Sequence, residues 1–142
     1  MTKIGRAERI KEIGSTLVEL DATKKTARLN CIIANDKSDA EIKELHAELE
    51  KLFQPFMERK LQREIASIFI DGEICVKQPY IQGNRFYILV FQEHPSGAYT
   101  ISFSNEHDIQ FESQGMQYGI WHKVKISEIE MNRIKSVMRR VL

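Results

Sequence analysis

Hydrophobic positions in the first third of the chain recur at helical spacing. Ile10, Ile13, Leu17 and Leu20 fall at alternating three- and four-residue steps, which places them on one face of a helix. The seam continues more weakly through Lys24, Ala27 and Cys31 before Asn35-Asp36-Lys37 interrupts it. Ser38 then reads as an N-cap, with Glu41 three residues later closing a capping box. Ile42, Leu45, Leu49, Leu52 and Phe56 repeat the same stripe. The pattern predicts two helices joined by a short turn at residues 35–37 and packed as an antiparallel hairpin. The same seam could instead be closed between two chains as a coiled coil. Gly14 costs such a helix about 1 kcal/mol relative to alanine, and Pro55 predicts a kink or restart. Residues 27–33 also alternate as a strand would, but the unbroken periodicity upstream favours helix.

Beyond residue 66 the pattern changes period and reads as strands. Ile68-Phe69-Ile70, Asp71-Gly72 and Glu73-Ile74-Cys75-Val76 spell a tight hairpin, with Asp-Gly supplying the positive φ of a type I′ turn. A second hairpin runs from Phe86–Phe91 through the turn at 93–97 to Tyr99–Phe103. Tyr99, Ile101 and Phe103 point inward there, and Thr100, Ser102 and Ser104 point to water. A third joins Ile109–Glu112 to Gln117–Lys125. With Gln114-Gly115 as its turn, Phe111 opposes Tyr118 and Ile109 opposes Ile120.

The chain closes with a well-marked helix. Ser127 and Glu130 form a second capping box, and Ile126 with Met131 form a hydrophobic staple. Met131, Ile134, Met138 and Val141 line one face, while Arg139 and Arg140 suit the negative end of the helix dipole. The expected fold is α+β. It has an N-terminal helical hairpin segment (1–66), an antiparallel β-meander of about six strands (67–126) and a C-terminal amphipathic helix (127–142), all in one domain.

Composition agrees with that size. A chain of 142 residues buries about two-thirds of its unfolded surface, enough for a core without metal or disulfide staples. No apolar run approaches the ~20 residues of a membrane span, and the N-terminus lacks the apolar core of a signal peptide. Cys31 and Cys75 stand alone, with no metal-type spacing around either. They read as buried thiols of a reducing compartment, so a cytoplasmic location is expected. P-loop, GxGxxG, HExxH and GxSxG motifs are absent from the sequence.

Charge narrows the functional classes. With 21 basic and 20 acidic side chains, the chain does not bind polyanions by bulk charge. The charges are nevertheless segregated: residues 69–121 carry −4 and residues 122–142 carry +4. One reading is attraction within the fold or across a dimer. The other is a nucleic-acid surface built from Lys123, Lys125, Arg133, Lys135, Arg139 and Arg140.

Among the histidines, His46 falls on the polar side of its helix. His94 and His107 sit in turns about 25 Å apart at the ends of one strand. The register that pairs Ile109 with Ile120 also sets His107 opposite His122, with Glu106 and Asp108 nearby. Two opposed imidazoles could hold zinc or another divalent transition metal, or simply close the end of a sheet. The favoured function is a small cytoplasmic binding or regulatory protein that works through protein–protein contacts as a homo-oligomer. Ile10, Ile13, Leu17 and Leu20 form its expected interface, since an exposed stripe of that size marks a docking surface. A nucleic-acid module and a metal protein or enzyme centred on His107 and His122 are the alternatives.

Overall fold

The computed structural model describes the backbone of residues 3–29, 35–114 and 120–141, with side chains for 5–21, 39–114 and 120–141. Helix α1 (Lys3–Leu29) and helix α2 (Asn35–Leu52) form the expected antiparallel hairpin, but residues 35–37, expected as its turn, already belong to α2. Arg9 ties them together, donating to Glu48 through Nε at 2.6 Å and Nη2 at 2.8 Å. This hydrogen-bonded pairing, with Glu12 adding to it, raises the Arg9 pKa and holds the Glu48 carboxyl below its ordinary value. Both side chains remain over a third exposed, so the pair orients the hairpin more than it stabilises it. Helix α2 begins three residues before Ser38, so Ser38 lies inside the helix rather than at its cap. Helix α1 continues to Leu29, as the periodicity favoured; residues 30–34 and Cys31 lie outside the described residues.

Pro55 acts as expected. Helix α2 stops at Leu52, and a single 3-10 turn (Gln54–Met57) with Pro55 in its first positions redirects the chain. A further helix, α3 (Arg59–Phe69), follows where the sequence reading placed the first strand of a hairpin. Leu61, Ile65 and Ile68 are buried at helical spacing, and that stripe outweighs the β propensity of Ile68-Phe69-Ile70. Gly72 does adopt positive φ (+92°), but it turns the chain out of a helix. No 68–76 hairpin forms.

The sheet contains strands β1 (Cys75–Val76), β2 (Tyr80–Gln82), β3 (Arg85–Glu93), β4 (Ser96–Asn105), β5 (Asp108–Ser113) and β6 (His122–Lys123). Its order is β1-β3-β4-β5-β6, all antiparallel, with β2 also paired to β3. The β3–β4 hairpin has the expected inward set: Phe86 faces Phe103 and Ile88 faces Ile101. These side chains meet Ile10, Ile13, Leu49, Phe53, Phe56, Ile65, Ile134 and Met138 in one core. Four rings, Phe53, Phe56, Phe86 and Phe103, lie with centroids 4.7–6.3 Å apart at its centre.

Alternation puts Tyr80, Tyr87, Leu89 and Phe91 on the other face of the sheet. Tyr80 and Tyr87 stack there, 4.8 Å between centroids and nearly parallel. Burial, with the neighbouring charges of Tyr87 and Glu112, raises the Tyr80 pKa. Thr100, Ser102 and Ser104 share this face but are buried, not wetted as the alternation suggested. Arg85 lies over them: its Nε and Nη2 donate to the Ser102 hydroxyl at 3.3 and 3.2 Å, and its Nη1 pairs with Asp108.

Helix α4 (Glu128–Val141) closes the core with Ile134, Val137 and Met138. Its capping box forms as read. The Ser127 amide donates to Glu130 Oε1 at 2.9 Å, and the Glu130 amide donates to Ser127 Oγ at 3.2 Å. Such a cap is worth about 1 kcal/mol.

Gly14 has a structural reason. A Cβ at this position would lie 2.3 Å from Asn84 Nδ2, the group that donates to the Ile10 carbonyl at 3.3 Å. Gly14→Ala should therefore forfeit most of the ~1 kcal/mol that alanine gains in a helix. Gly14→Ala combined with Asn84→Ala should recover more of it. Urea denaturation of both variants measures the difference; equal gains would mean that α1 and Asn84 are not in contact.

Candidate functional site

The seam that the sequence offered as an interface is closed within the chain. Ile10 and Ile13 are fully buried, Leu17 packs against the core in part, and Leu20 is half-buried. Residues of α2 and the sheet enclose Ile10 and Ile13, which offer no surface to a second molecule, while Leu17 and Leu20 stay partly exposed.

The opposed histidines do not form. Strand β6 pairs with β5 through Ser113↔His122 and Glu112↔Lys123, which moves His122 six residues along β5 from His107. His107 instead sits with Glu106 in the turn between Asn105 and Asp108. About 15–20 Å of extended strand separates the two histidines. The chain between β5 and β6 is longer than a two-residue turn. Ile120 is left exposed, and Ile109 takes its described partner, Phe103, from β4. Tyr118 lies outside the described residues. Among those described, no cluster of three or more His, Cys, Asp or Glu side chains could hold a metal.

The basic set is dispersed and partly neutralised. Arg139 donates to Glu106 at 2.9 Å, Arg140 donates to both oxygens of Glu64 at 2.9 Å, and Lys123 faces Glu112 across the sheet. Lys125 and Arg133 are exposed and Lys135 is half-buried. One ion pair, Arg139 with Glu106, thus joins the acidic and basic segments, while Arg140 is held by α3. Cys75, expected to be buried, is an exposed free thiol.

One concave feature among the described residues has no counterpart in the sequence-based expectations. A cleft of about 1140 Å³ opens between α1, the β4–β5 turn and the end of α4. One wall is a stripe of α1: Ala7, Lys11, Gly14 and Val18, with Glu8 and Ser15 beside it. Met138 and Asn84 contribute to the interior, and the opposite wall is the 104–108 turn with Arg139. Small residues at 7 and 15 keep this face of α1 low, Asn84 covers Gly14 between them, and Val18 stands 72% exposed. Glu106 bridges the far rim, accepting from Arg139 and lying 3.3 Å from His107 Nε2. Burial alone would raise the Asp108 pKa, but hydrogen bonds from Arg85 and Ser104 hold it below its ordinary value. The only advance signal was weak: Ala7, Gly14 and Ser15 are small residues on α1 beside the buried seam.

No helix among the described residues is long and apolar enough to cross a membrane. The chain matches no protein-family model, no curated protein and no solved structure.

Proposed function

We propose that the protein is a protein-binding module whose cleft between α1 and the β4–β5 turn receives a helix of its partner. The observation that carries this reading is the α1 stripe of half-buried Ala7 and Gly14 and exposed Lys11 and Val18 along one wall of that cleft. The eleven helical steps from Ala7 to Val18 present about 16 Å of wall. Ala7 and Ser15 are small enough to let another helix approach, with Asn84 packed over Gly14 as the floor between them, and charges at the rim can fix its direction. The chain binds as a homo-oligomer when that helix comes from a second copy, and as a hetero-complex otherwise. The exposed thiol of Cys75 fits a reducing, cytoplasmic setting.

Photo-crosslinking tests the site. A benzophenone amino acid at Val18 should give a discrete adduct in producing cells. The same group at Ile129, equally exposed at 73% but outside the cleft, should give none. An adduct of twice the chain mass identifies a second copy. Val18→Asp should abolish capture by a photoreactive group at Ser15 while leaving the melting temperature unchanged. Adducts at both positions, or at neither, would remove the cleft from the reading.

A further inference from the structure

Sheet edges carry unpaired backbone groups, which proteins usually cover. The β1 edge is covered: Arg59 on α3 donates to the Val76 carbonyl at 2.7 Å. The β6 edge is dressed differently. Ile120, Trp121 and Val124 are 48%, 38% and 39% exposed, a concentration of apolar surface within one short segment.

Pairing with β5 decides which backbone groups remain available. His122 faces Ser113, and the Val124 amide donates to the Phe111 carbonyl at 2.9 Å. Bonded positions alternate along an antiparallel strand, so Lys123 between them turns its own amide and carbonyl to the open side. Among the described residues no strand other than β5 pairs with β6.

Charge selects the occupant. His122, Lys123 and Lys125 are exposed, Glu112 opposite Lys123 on β5 is the one carboxylate that the register sets against them, and residues 113–127 contain no Asp or Glu. Two copies joined β6 to β6 would bring lysines against lysines, which is unfavourable for directly opposed side chains. An extended segment bearing carboxylates reverses that sign.

We propose that the β6 edge binds an extended acidic segment of a partner protein by strand addition. Trp121 is the apolar anchor, and Lys123 and Lys125 are the charge contacts. This surface is separate from the α1–α4 cleft and holds whatever the cleft receives.

Trp121 is the single tryptophan of the chain, so intrinsic fluorescence reads this edge directly. The probe is a short capped peptide alternating valine and glutamate, compared with its lysine counterpart and with a version carrying proline at its centre. The glutamate peptide should shift the emission to the blue saturably and shield it from acrylamide. The lysine and proline peptides should do neither. Lys123→Glu with Lys125→Glu should weaken binding by about tenfold or more, and Lys125→Gln, which removes one charge from an exposed site, should weaken it less. Unchanged emission across the titration, or equal responses to the two charged peptides, would overturn the proposal. So would a dimer in sedimentation that Trp121→Ala abolishes, because the edge would then belong to a second copy.

Discussion

Phe103→Ala should lower the free energy of unfolding by about 3–5 kcal/mol, the range for truncating a fully buried phenylalanine. Phe103 is fully buried and packs against Phe53, Phe56 and Phe86 from the strand side. Its loss removes ring contacts as well as buried area. Set against the ~5–15 kcal/mol of an ordinary domain, that cost leaves the variant near the edge of folding. Phe91→Ala is the matched control on the opposite face of the sheet. Phe91 is 41% exposed and lies under the Lys77 ammonium, 5.4 Å from its ring centroid. Its truncation should cost about 1 kcal/mol or less. Urea unfolding followed by circular dichroism measures both. Equal costs would show that the two faces of the sheet had been assigned wrongly.

Arg85→Met should cost about 1–3 kcal/mol and should change the shape of the acid limb. Arg85 is largely buried, and its removal strips partners from Ser102 and Asp108 together. Asp108 keeps access to water, its side chain being 45% exposed, so the cost falls short of that of a charge stranded in a dry core. The pH dependence follows from the direction of the shift. Folding lowers the Asp108 pKa, so its contribution is complete above the ordinary carboxylate range. That contribution drains away as pH falls through the lowered value. Glu48 adds a contribution of the same sign through Arg9. Wild-type stability should therefore decline below about pH 4, and Arg85→Met should decline less steeply. A variant with the wild-type slope would mean that Arg85 does not hold Asp108.

Elements with local signals were legible in the sequence. The Ser127/Glu130 box, the break at Pro55 and the alternation of Phe86–Phe103 each rest on neighbouring residues, and each is found. Helix α3 was misread because Asp71-Gly72 carries a strong hairpin signal. The spacing of Leu61, Ile65 and Ile68 carried the correct answer just upstream. The β5–β6 register failed for another reason. Matching apolar residues across a supposed two-residue turn ignores that Phe111 and Ile109 already face Ile101 and Phe103 on β4. The inward side chains of β5 were thus provided for without β6, and the histidine pairing built on that register fell with it. The cleft had only a faint local signature, the small residues of α1. It arises because α1 leans on Asn84 and stands away from the 104–108 turn, an arrangement fixed only when both ends of the chain are in place.

The division of the core between chain halves has a consequence during synthesis. Phe53 and Phe56 leave the ribosome before the strands that cover them, since their partners Phe86 and Phe103 lie further along the chain. At ordinary translation speeds, the interval from Phe56 to Phe111 lasts roughly 3–11 s. Throughout it the helical half presents Ile10, Ile13, Leu49 and both rings to water, with only its own hairpin for shelter. The nascent protein is therefore most exposed to wrong partners before its sheet exists, and Ile134 and Met138 join the core only after every strand has been made.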